Sequence, residues 1–297
     1  MRIFLEYYIV KGILLLTKLL PMSCIYTLCK SLATLIFHLD PKRRYITLTN
    51  LERAHIGIDE QARLILAKKI YESVGILVAE IFLMMQNRID LDAMVSNYDE
   101  AIVMIDNLFK TRERGTLFLT AHFGNWELLA HFVAKHGYPL LVISRKGNNS
   151  LIEERLTTPF RKLYGNDLAY KEQAISAIVK TIKKKGIAGM LIDQKAGGTN
   201  SVKTTFFGNS VDTVTSTALL KLRYNPAVVP LFMARQSDGR YKMIMGSSAD
   251  LDDLPNTLND DEKIARLTQH YNDIIEEVIR AYPEQWFWMH DRWRLPK

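Results

Sequence analysis

The stretch GTLFLTAHFGNWELLAHFV, residues 115–133, passes from a continuous apolar and β-prone run into a helical pattern. Such a run is typical of a strand that is buried on both faces of a sheet. Asn125 can cap the helix that follows, in which apolar side chains recur at helical spacing: Leu128, Leu129, Phe132 and Val133. A buried strand that leads through a short turn into an amphipathic helix is the building unit of an α/β sheet.

The turn of this unit carries a histidine and a carboxylate. His122 follows the strand directly and Glu127 falls in the first helical turn, so both lie at the sheet edge where α/β folds bind ligands. A carboxylate that reached back to the imidazole would fix its tautomer and stabilise the imidazolium formed on proton abstraction. The pair therefore suits a general base with an orienting acid, and a core histidine beside a helix-start glutamate is the alternative.

Strands and helices continue to alternate along the chain. We predict strands at 115–120, 139–144, 187–192, 227–234 and 241–246, a short strand at 94–98, and helices at 58–85, 101–110, 151–163, 172–185, 213–224 and 260–282. Strands separated by helical segments indicate a mixed, largely parallel sheet that is flanked by helices. No linker-like tract divides the chain, which is 297 residues long and 48% apolar, so it can bury one large core.

The basic charge is concentrated in the apolar N-terminal part. The net charge is +7, with 39 Lys and Arg against 32 Asp and Glu, and residues 1–45 contribute seven basic and two acidic side chains. A basic, apolar terminus indicates a membrane surface rather than nucleic acid as the partner. We therefore predict a membrane-associating helical segment at 1–40 and one catalytic domain at 41–297.

The apolar segment at 3–39 is interrupted by Glu6, Lys11, Lys18 and Lys30, so it lacks the uncharged run of roughly 18 residues that identifies a transmembrane helix. An interfacial helix or a hairpin that dips into one leaflet fits better, and an ordinary pair of core helices is the alternative. The charges also disfavour a cleaved signal peptide. The only cysteines, at 24 and 29, match neither a zinc site nor a disulfide framework and favour a cytosolic environment.

Further polar groups follow other predicted strands. Arg145 follows the strand predicted at 139–144, the next strand after the helix that Asn125 caps. Its guanidinium could bind a phosphate through two hydrogen bonds, and a solvated charge at the strand end is equally consistent. Asp193 and Gln194 end the strand at 187–192 and favour a binding role, with turn formation as the alternative. Three further residues could line an acyl groove: Phe206, Phe207 and Gly208. Packing of the two aromatic rings in the core is the alternative.

Several chemistries lack their motifs. The sequence has no G-x-S-x-G elbow, no Walker loop, no G-x-G-x-x-G turn and no H-E-x-x-H helix, so we predict neither an acyl-enzyme nor a cofactor. His131 lies four residues beyond Glu127 and makes a metal site with His122 conceivable, but a lone helical histidine is more often structural. Backbone amides of Gly124 and Asn125 at the helix start are candidate oxyanion donors.

The phrase AHFGNWE at 121–127 resembles the His-x4-Glu hallmark of the bacterial lipid A biosynthesis acyltransferases, the late lauroyl and myristoyl transferases. The resemblance spans nearly the whole chain and includes SR at 144–145, DQ at 193–194, FFG at 206–208 and the ending PEQWFWMH at 283–290. The sequence departs from that pattern at Asp291, where a second basic residue is expected before Arg292.

The resemblance implies a glycerolipid-acyltransferase-like fold and direct transfer of a fatty acyl chain from an acyl-carrier-protein thioester to a hydroxyl of a lipid A precursor. It also implies His122 as base, Glu127 as its partner, Arg145 in the site, and a location at the cytoplasmic face of the inner membrane. Two alternatives stay open at this point. They are acylation of another glycolipid or glycerolipid, and a non-catalytic membrane-binding relative; coenzyme A also remains a possible donor.

Overall fold

A six-stranded sheet forms the centre of the molecule. The computed structural model describes residues 1–110, 113–196, 200–251, 254–255 and 257–294. Its strands are β1 (Thr116–Thr120), β2 (Leu140–Ser144), β3 (Asp167–Tyr170), β4 (Ile187–Leu191), β5 (Ser201–Phe206), β6 (Asn209–Val214), β7 (Ala227–Arg235) and β8 (Tyr241–Met245). The order in the sheet is β3-β2-β4-β1-β7-β8, and every pair is parallel except β7 with β8. The predicted α/β class with a mixed, largely parallel sheet is confirmed.

Helices surround this sheet and precede it. They are α1 (Arg2–Leu19), α2 (Met22–Leu39), α3 (Pro41–Arg53), α4 (Glu60–Met85), α5 (Tyr98–Lys110), α6 (Trp126–Lys135), α7 (Ser150–Ile152), α8 (Thr158–Arg161), α9 (Ala174–Lys183), α10 (Ser216–Tyr224) and α11 (Asp260–Ala281). The side chain of Asp59 caps α4, as its position before the apolar pattern predicts, and Asn125 caps α6 in the same way.

Both faces of the sheet are covered, which explains why β1 is continuously apolar. Phe118 points to the layer that contains α5 and α6, where it packs with Phe109 and Phe132. Leu117 points to the opposite layer, which contains α9, α10 and α11. All five residues of β1 are buried, so the strand is fixed on both sides and the turn after it starts from a rigid position.

Four segments differ from the prediction. Residues 201–214 form a separate β5–β6 hairpin, so the helix expected from 213 begins only at Ser216. The hairpin turns at Phe207 and Gly208, whose φ angles are +51° and +72°, as a tight two-residue turn requires. The helix expected at 151–163 is broken into α7, a single π-helical turn and α8. Strand β3 was not predicted, and the strand expected at 94–98 is a single bridge from Val95 to Tyr241.

The N-terminal helices are tied to the rest of the protein by polar contacts. Arg88 donates to the carbonyl of Leu20 at 2.9 Å, and Gln86 donates to the carbonyl of Leu14 at 2.8 Å. Helix α2 packs along α4 through buried Ile25 and Phe37. In the part of the chain that the structure describes, α2 is the one helix that is long and apolar enough, by length and composition, to cross a membrane.

Candidate active site

Asp193 holds the ring of His122. Oδ1 of Asp193 lies 3.0 Å from Nδ1 of His122, and Oδ2 accepts hydrogen bonds from the His122 backbone N–H at 3.0 Å and from Trp286 Nε1 at 2.8 Å. The aspartate side chain is only 1% exposed, whereas that of the histidine is 27% exposed. Burial raises the pKa of Asp193, but the opposing effects of His122 and Trp286 prevail and leave that pKa below its usual value. A charged aspartate therefore orients the imidazole.

The pairing follows from the register of the sheet. Thr120 of β1 is the parallel partner of Leu191 in β4, so His122 and Asp193 each stand two residues beyond a paired position. Both side chains consequently emerge at the same sheet edge. The predicted contact between Glu127 and His122 is wrong. The carboxylate that holds His122 belongs instead to Asp193, which follows the neighbouring strand β4.

Glu127 is bound to Arg161, a residue that the sequence reasoning missed. Nε and an Nη of Arg161 lie 3.2 and 2.9 Å from the same Glu127 oxygen, and the other Nη donates to Ser144 Oγ at 2.7 Å. Both side chains are largely buried, so the ion pair is screened little by water. Glu127 and Arg161 line one cavity together with His122.

Glu80 of α4 fixes the turn between His122 and Glu127. Its buried carboxylate accepts from Asn125 Nδ2 and from Tyr241 OH, each at 2.7 Å, and from Tyr26 OH at 3.4 Å. Burial raises the pKa of Glu80. Since Oδ1 of Asn125 caps α6 through the N–H of Leu128 at 2.8 Å, Glu80 orients both ends of that amide. The motif turn is thus connected to α4 and, through Tyr26, to α2.

The backbone amides proposed as oxyanion donors are engaged inside the protein. The N–H of Gly124 donates to the carbonyl of Gln285 at 2.9 Å, and that of Asn125 faces the carbonyl of Met233 at 3.4 Å. The prediction of an oxyanion role for these two amides is therefore not supported by the geometry. The first helical N–H groups of α6, at Trp126 and Glu127, have no intrahelical acceptor by the geometry of an α-helix. The ring of Trp126 lies edge-on to that of His122, with the centroids 5.2 Å apart.

Gly124 is required by its conformation and by its neighbours. Its φ is +54°, and an added Cβ would lie 1.7 Å from the carbonyl oxygen of Met233. Gly124→Ala is therefore expected to lower the free energy of unfolding by about 3 kcal/mol or more, measured by urea unfolding. The matched control is Gly137→Ala, where φ is +90° and no atom lies within 4 Å. This control bears only the conformational cost of about 1–2 kcal/mol, and equal losses in the two variants would contradict the argument.

Two cavities meet at His122 and Trp126. The larger one, of about 470 Å³, has an apolar wall from α4 and the C-terminal segment, and it is bordered by Arg235. The smaller one, of about 170 Å³, runs between the sheet and α6 and has polar groups at its mouth, which include Glu127, Arg145 and Arg161. An imidazole at their junction can act on groups that arrive from both sides.

The other predicted residues lie in different settings. Arg145 is exposed at the mouth of the smaller cavity, and Gln194 is half-buried next to Asp193. The two phenylalanines at 206–207 are buried against Trp286, Trp288 and Trp293, and Gly208 is exposed in the hairpin turn. None of these three residues lines either cavity beside His122, so their assignment to an acyl groove is not supported.

The alternative that His131 helps to bind a metal ion is also not supported. Its ring nitrogens lie 2.6 Å from the carbonyl oxygen of Glu127 and 2.8 Å from that of Phe160, inside the core. Among the described residues, no three His, Cys, Asp or Glu side chains are placed to hold a metal ion together. His131 instead joins α6 to α8, which carries Arg161.

A histidine held by a carboxylate between two cavities of an α/β fold is suited to general-base catalysis on a hydroxyl group. Residues 1–295 match the family model described as bacterial lipid A biosynthesis acyltransferase. The chain belongs to that family and is an acyltransferase.

The similar curated proteins agree with this assignment. The chain is 27% identical over 290 residues to a lipid A biosynthesis lauroyltransferase of Escherichia coli K12, which covers 95% of this chain and 89% of the relative. It is 25% identical over 194 residues to a lipid A biosynthesis palmitoleoyltransferase of the same organism, which covers 64% of this chain and 60% of that relative. A lipid A biosynthesis acyltransferase of Shigella flexneri matches equally.

Proposed function

We propose that the protein transfers a fatty acyl chain from an acyl-carrier-protein thioester to a hydroxyl group of a lipid A precursor. The observation that carries this proposal is the position of His122, which Asp193 orients at the junction of the larger and the smaller cavity. Transfer between two large substrates needs such a meeting point, because each must approach the same proton acceptor.

His122 acts as the general base. With Nδ1 directed at Asp193, Nε2 takes the proton of the acceptor hydroxyl while its oxygen attacks the thioester carbonyl carbon. The tetrahedral intermediate collapses with cleavage of the C–S bond, and the imidazolium returns its proton to the leaving thiolate. Arg161 and the first N–H groups of α6 are the donors that stabilise the oxyanion, while Glu127 keeps Arg161 in place.

Charge and membrane contact support the choice of substrates. The net charge of +7 favours an acidic carrier protein as donor, and coenzyme A is the alternative. The larger cavity is lined by Ile70, Val74 and Leu77 of α4, the helix on which α2 packs, so it suits an acceptor that arrives from a lipid layer. Arg145, exposed at the neighbouring cavity mouth, is our candidate contact for an acceptor phosphate.

A purified-protein assay tests the function. The protein is incubated with acyl-carrier-protein or coenzyme A thioesters and with a lipid A precursor, a dephosphorylated precursor or a glycerolipid, and products are identified by mass spectrometry. We expect the carrier-protein thioester and the phosphorylated precursor to give the highest kcat/KM. Transfer to the glycerolipid alone would replace the proposed acceptor, and no transfer to any acceptor would favour a non-catalytic membrane-binding role.

We further propose that residues 1–40 hold the enzyme on the cytoplasmic face of the inner membrane, while residues 41–297 form the catalytic domain. One side of α2 carries exposed Leu28, Leu32 and Leu35, opposite the side that packs on α4. A membrane surface would cover this row of leucines without disturbing the packed side.

The triple substitution of Leu28, Leu32 and Leu35 by glutamine is expected to reduce partition into lipid vesicles at least tenfold, by about 0.8 kcal/mol for each buried methylene lost. Vesicle flotation measures the effect. The control replaces Val103 and Ile175 by glutamine, because both are exposed apolar side chains away from α2, on α5 and α9. These changes should leave vesicle binding unaltered. Unchanged flotation of the triple variant would show that another surface binds the membrane.

A further inference from the structure

The smaller cavity owes its shape to one missing side chain. On the face of the sheet that α6 covers, Phe118 of β1 is the register partner of Gly189 in β4. Val142 of β2 lies one residue past the Leu141–Ala188 pair and therefore stands beside Gly189 on the same face. These three residues form a row across β2, β4 and β1. Val142 and Phe118 at its two ends carry apolar side chains, and Gly189 between them carries none.

The gap above Gly189 is open toward α6. An ideal Cβ at Gly189 would have a single neighbour within 4 Å, the Cδ1 atom of Leu140 at 3.5 Å. The helix opposite contributes another small residue, Ala130, to the cavity wall. A glycine inside a buried strand loses packing and conformational stability, so it commonly marks a place where a ligand approaches the backbone. The volume that a side chain would occupy is part of the cavity.

The depth of the gap suits an acyl chain. Phe118 is four residues before His122, and a strand rises about 3.3 Å per residue, so Gly189 lies about 13 Å below the histidine. An extended alkyl chain advances about 1.3 Å per carbon, given a C–C bond of about 1.5 Å. A chain whose carbonyl carbon is at His122 therefore reaches Gly189 at about its tenth carbon, and Leu140 bounds the space beyond.

We propose that Gly189 determines the length of the acyl chain that the enzyme transfers, because its missing side chain leaves the lower end of the smaller cavity open. The proposal rests on the proposed acyl transfer only for the identity of the donor. In this assignment the donor chain enters between the sheet and α6, and the thioester stays at the polar mouth beside His122 and Arg161.

Side chains of increasing size at Gly189 should shorten the preferred chain. Gly189→Ala and Gly189→Val are expected to move the optimum of kcat/KM to shorter donors, with about a fourfold loss for each methylene that no longer fits. Leu140→Ala should move the optimum to longer donors, since it enlarges the same end. Ala188→Val adds two methyl groups, the same number by which Val exceeds Ala at position 189, to a neighbouring position on the opposite sheet face, and it should leave the optimum unchanged.

The experiment measures transfer rates with donors of increasing chain length, together with the affinity of each variant for unbranched fatty acids of the same lengths. Circular dichroism and thermal unfolding identify variants that fail to fold. Opposite shifts for Gly189→Ala and Leu140→Ala in either measurement support the proposal. Fatty-acid affinities that show these shifts in an enzyme without transfer activity would support the cavity assignment and refute the proposed function. Unchanged length profiles in folded Gly189→Ala and Leu140→Ala, or a changed preference for the acceptor alone, would overturn the proposal.

Discussion

Asp193→Asn is expected to lower kcat by about a thousandfold or more at little cost to the fold, since an asparagine would enforce the wrong tautomer of His122. Oδ2 of Asp193 accepts from two N–H donors, the His122 backbone and Trp286 Nε1. The amide oxygen of an asparagine would occupy that position, because an amide nitrogen there would face two other donors. The amide nitrogen of the asparagine would then donate to Nδ1 of His122, so the ring proton would lie on Nε2. A protonated Nε2 cannot accept the proton of the acceptor hydroxyl, and the base would be lost.

The measurement is kcat and KM under saturating donor, with thermal unfolding as the check of folding. His122→Ala should lose activity to a similar extent, and the double variant should be no slower than the worse single variant because the two residues act as a unit. Asp92→Asn is the matched control, since Asp92 Oδ1 also lies 3.0 Å from a histidine nitrogen, on His136, outside the proposed site. Losses that multiply in the double variant would mean that the aspartate acts independently of the histidine.

The strands of the central sheet were predictable where burial on both faces makes a continuous apolar run. β1, β4 and β7 have such runs, and their predicted bounds differ from the observed ones by one residue at most. β5 and β6 alternate threonine and charged side chains with valine, so their pattern overlaps with that of a polar helix start. The helix expected at 151–163 contains Pro159, which lacks an N–H for the helical ladder, and the observed chain breaks into short turns there.

The position of the site was predictable, but its contacts were not. His122 and Asp193 both follow buried strands, and this placement could be read from the sequence. Their pairing depends on β1 and β4 being neighbours in register, which is a property of the sheet order and not of spacing along the chain. Arg161 lies in the short helix α8, inside a segment that the sequence predicts as one longer helix, so only the folded structure brings its guanidinium to Glu127.

We expect loss of the buried ion pair between Glu127 and Arg161 to reduce activity strongly. Arg161→Ala would leave the Glu127 carboxylate buried without its cation, which costs about 3–5 kcal/mol for a buried pair. It would also remove the proposed oxyanion donor. We expect kcat/KM to fall by at least about a hundredfold, and Arg161→Lys to recover little, because one ammonium cannot contact Glu127 and Ser144 as the guanidinium does.

A double-mutant cycle separates positioning from catalysis. If Glu127 acts only by holding Arg161, Glu127→Gln should reduce kcat/KM less than Arg161→Ala, and it should add nothing further in the double variant. The control is Arg280→Lys, because Arg280 forms a comparable ion pair with Glu276 at 2.7 Å on the half-exposed surface of α11. Its effect on stability should stay within about 1 kcal/mol. If Arg161→Lys kept nearly full activity, charge alone would suffice and the forked geometry would have no catalytic role. If Glu127→Gln were as slow as His122→Ala, the carboxylate itself would take part in the reaction, and the orienting role would belong to both acids.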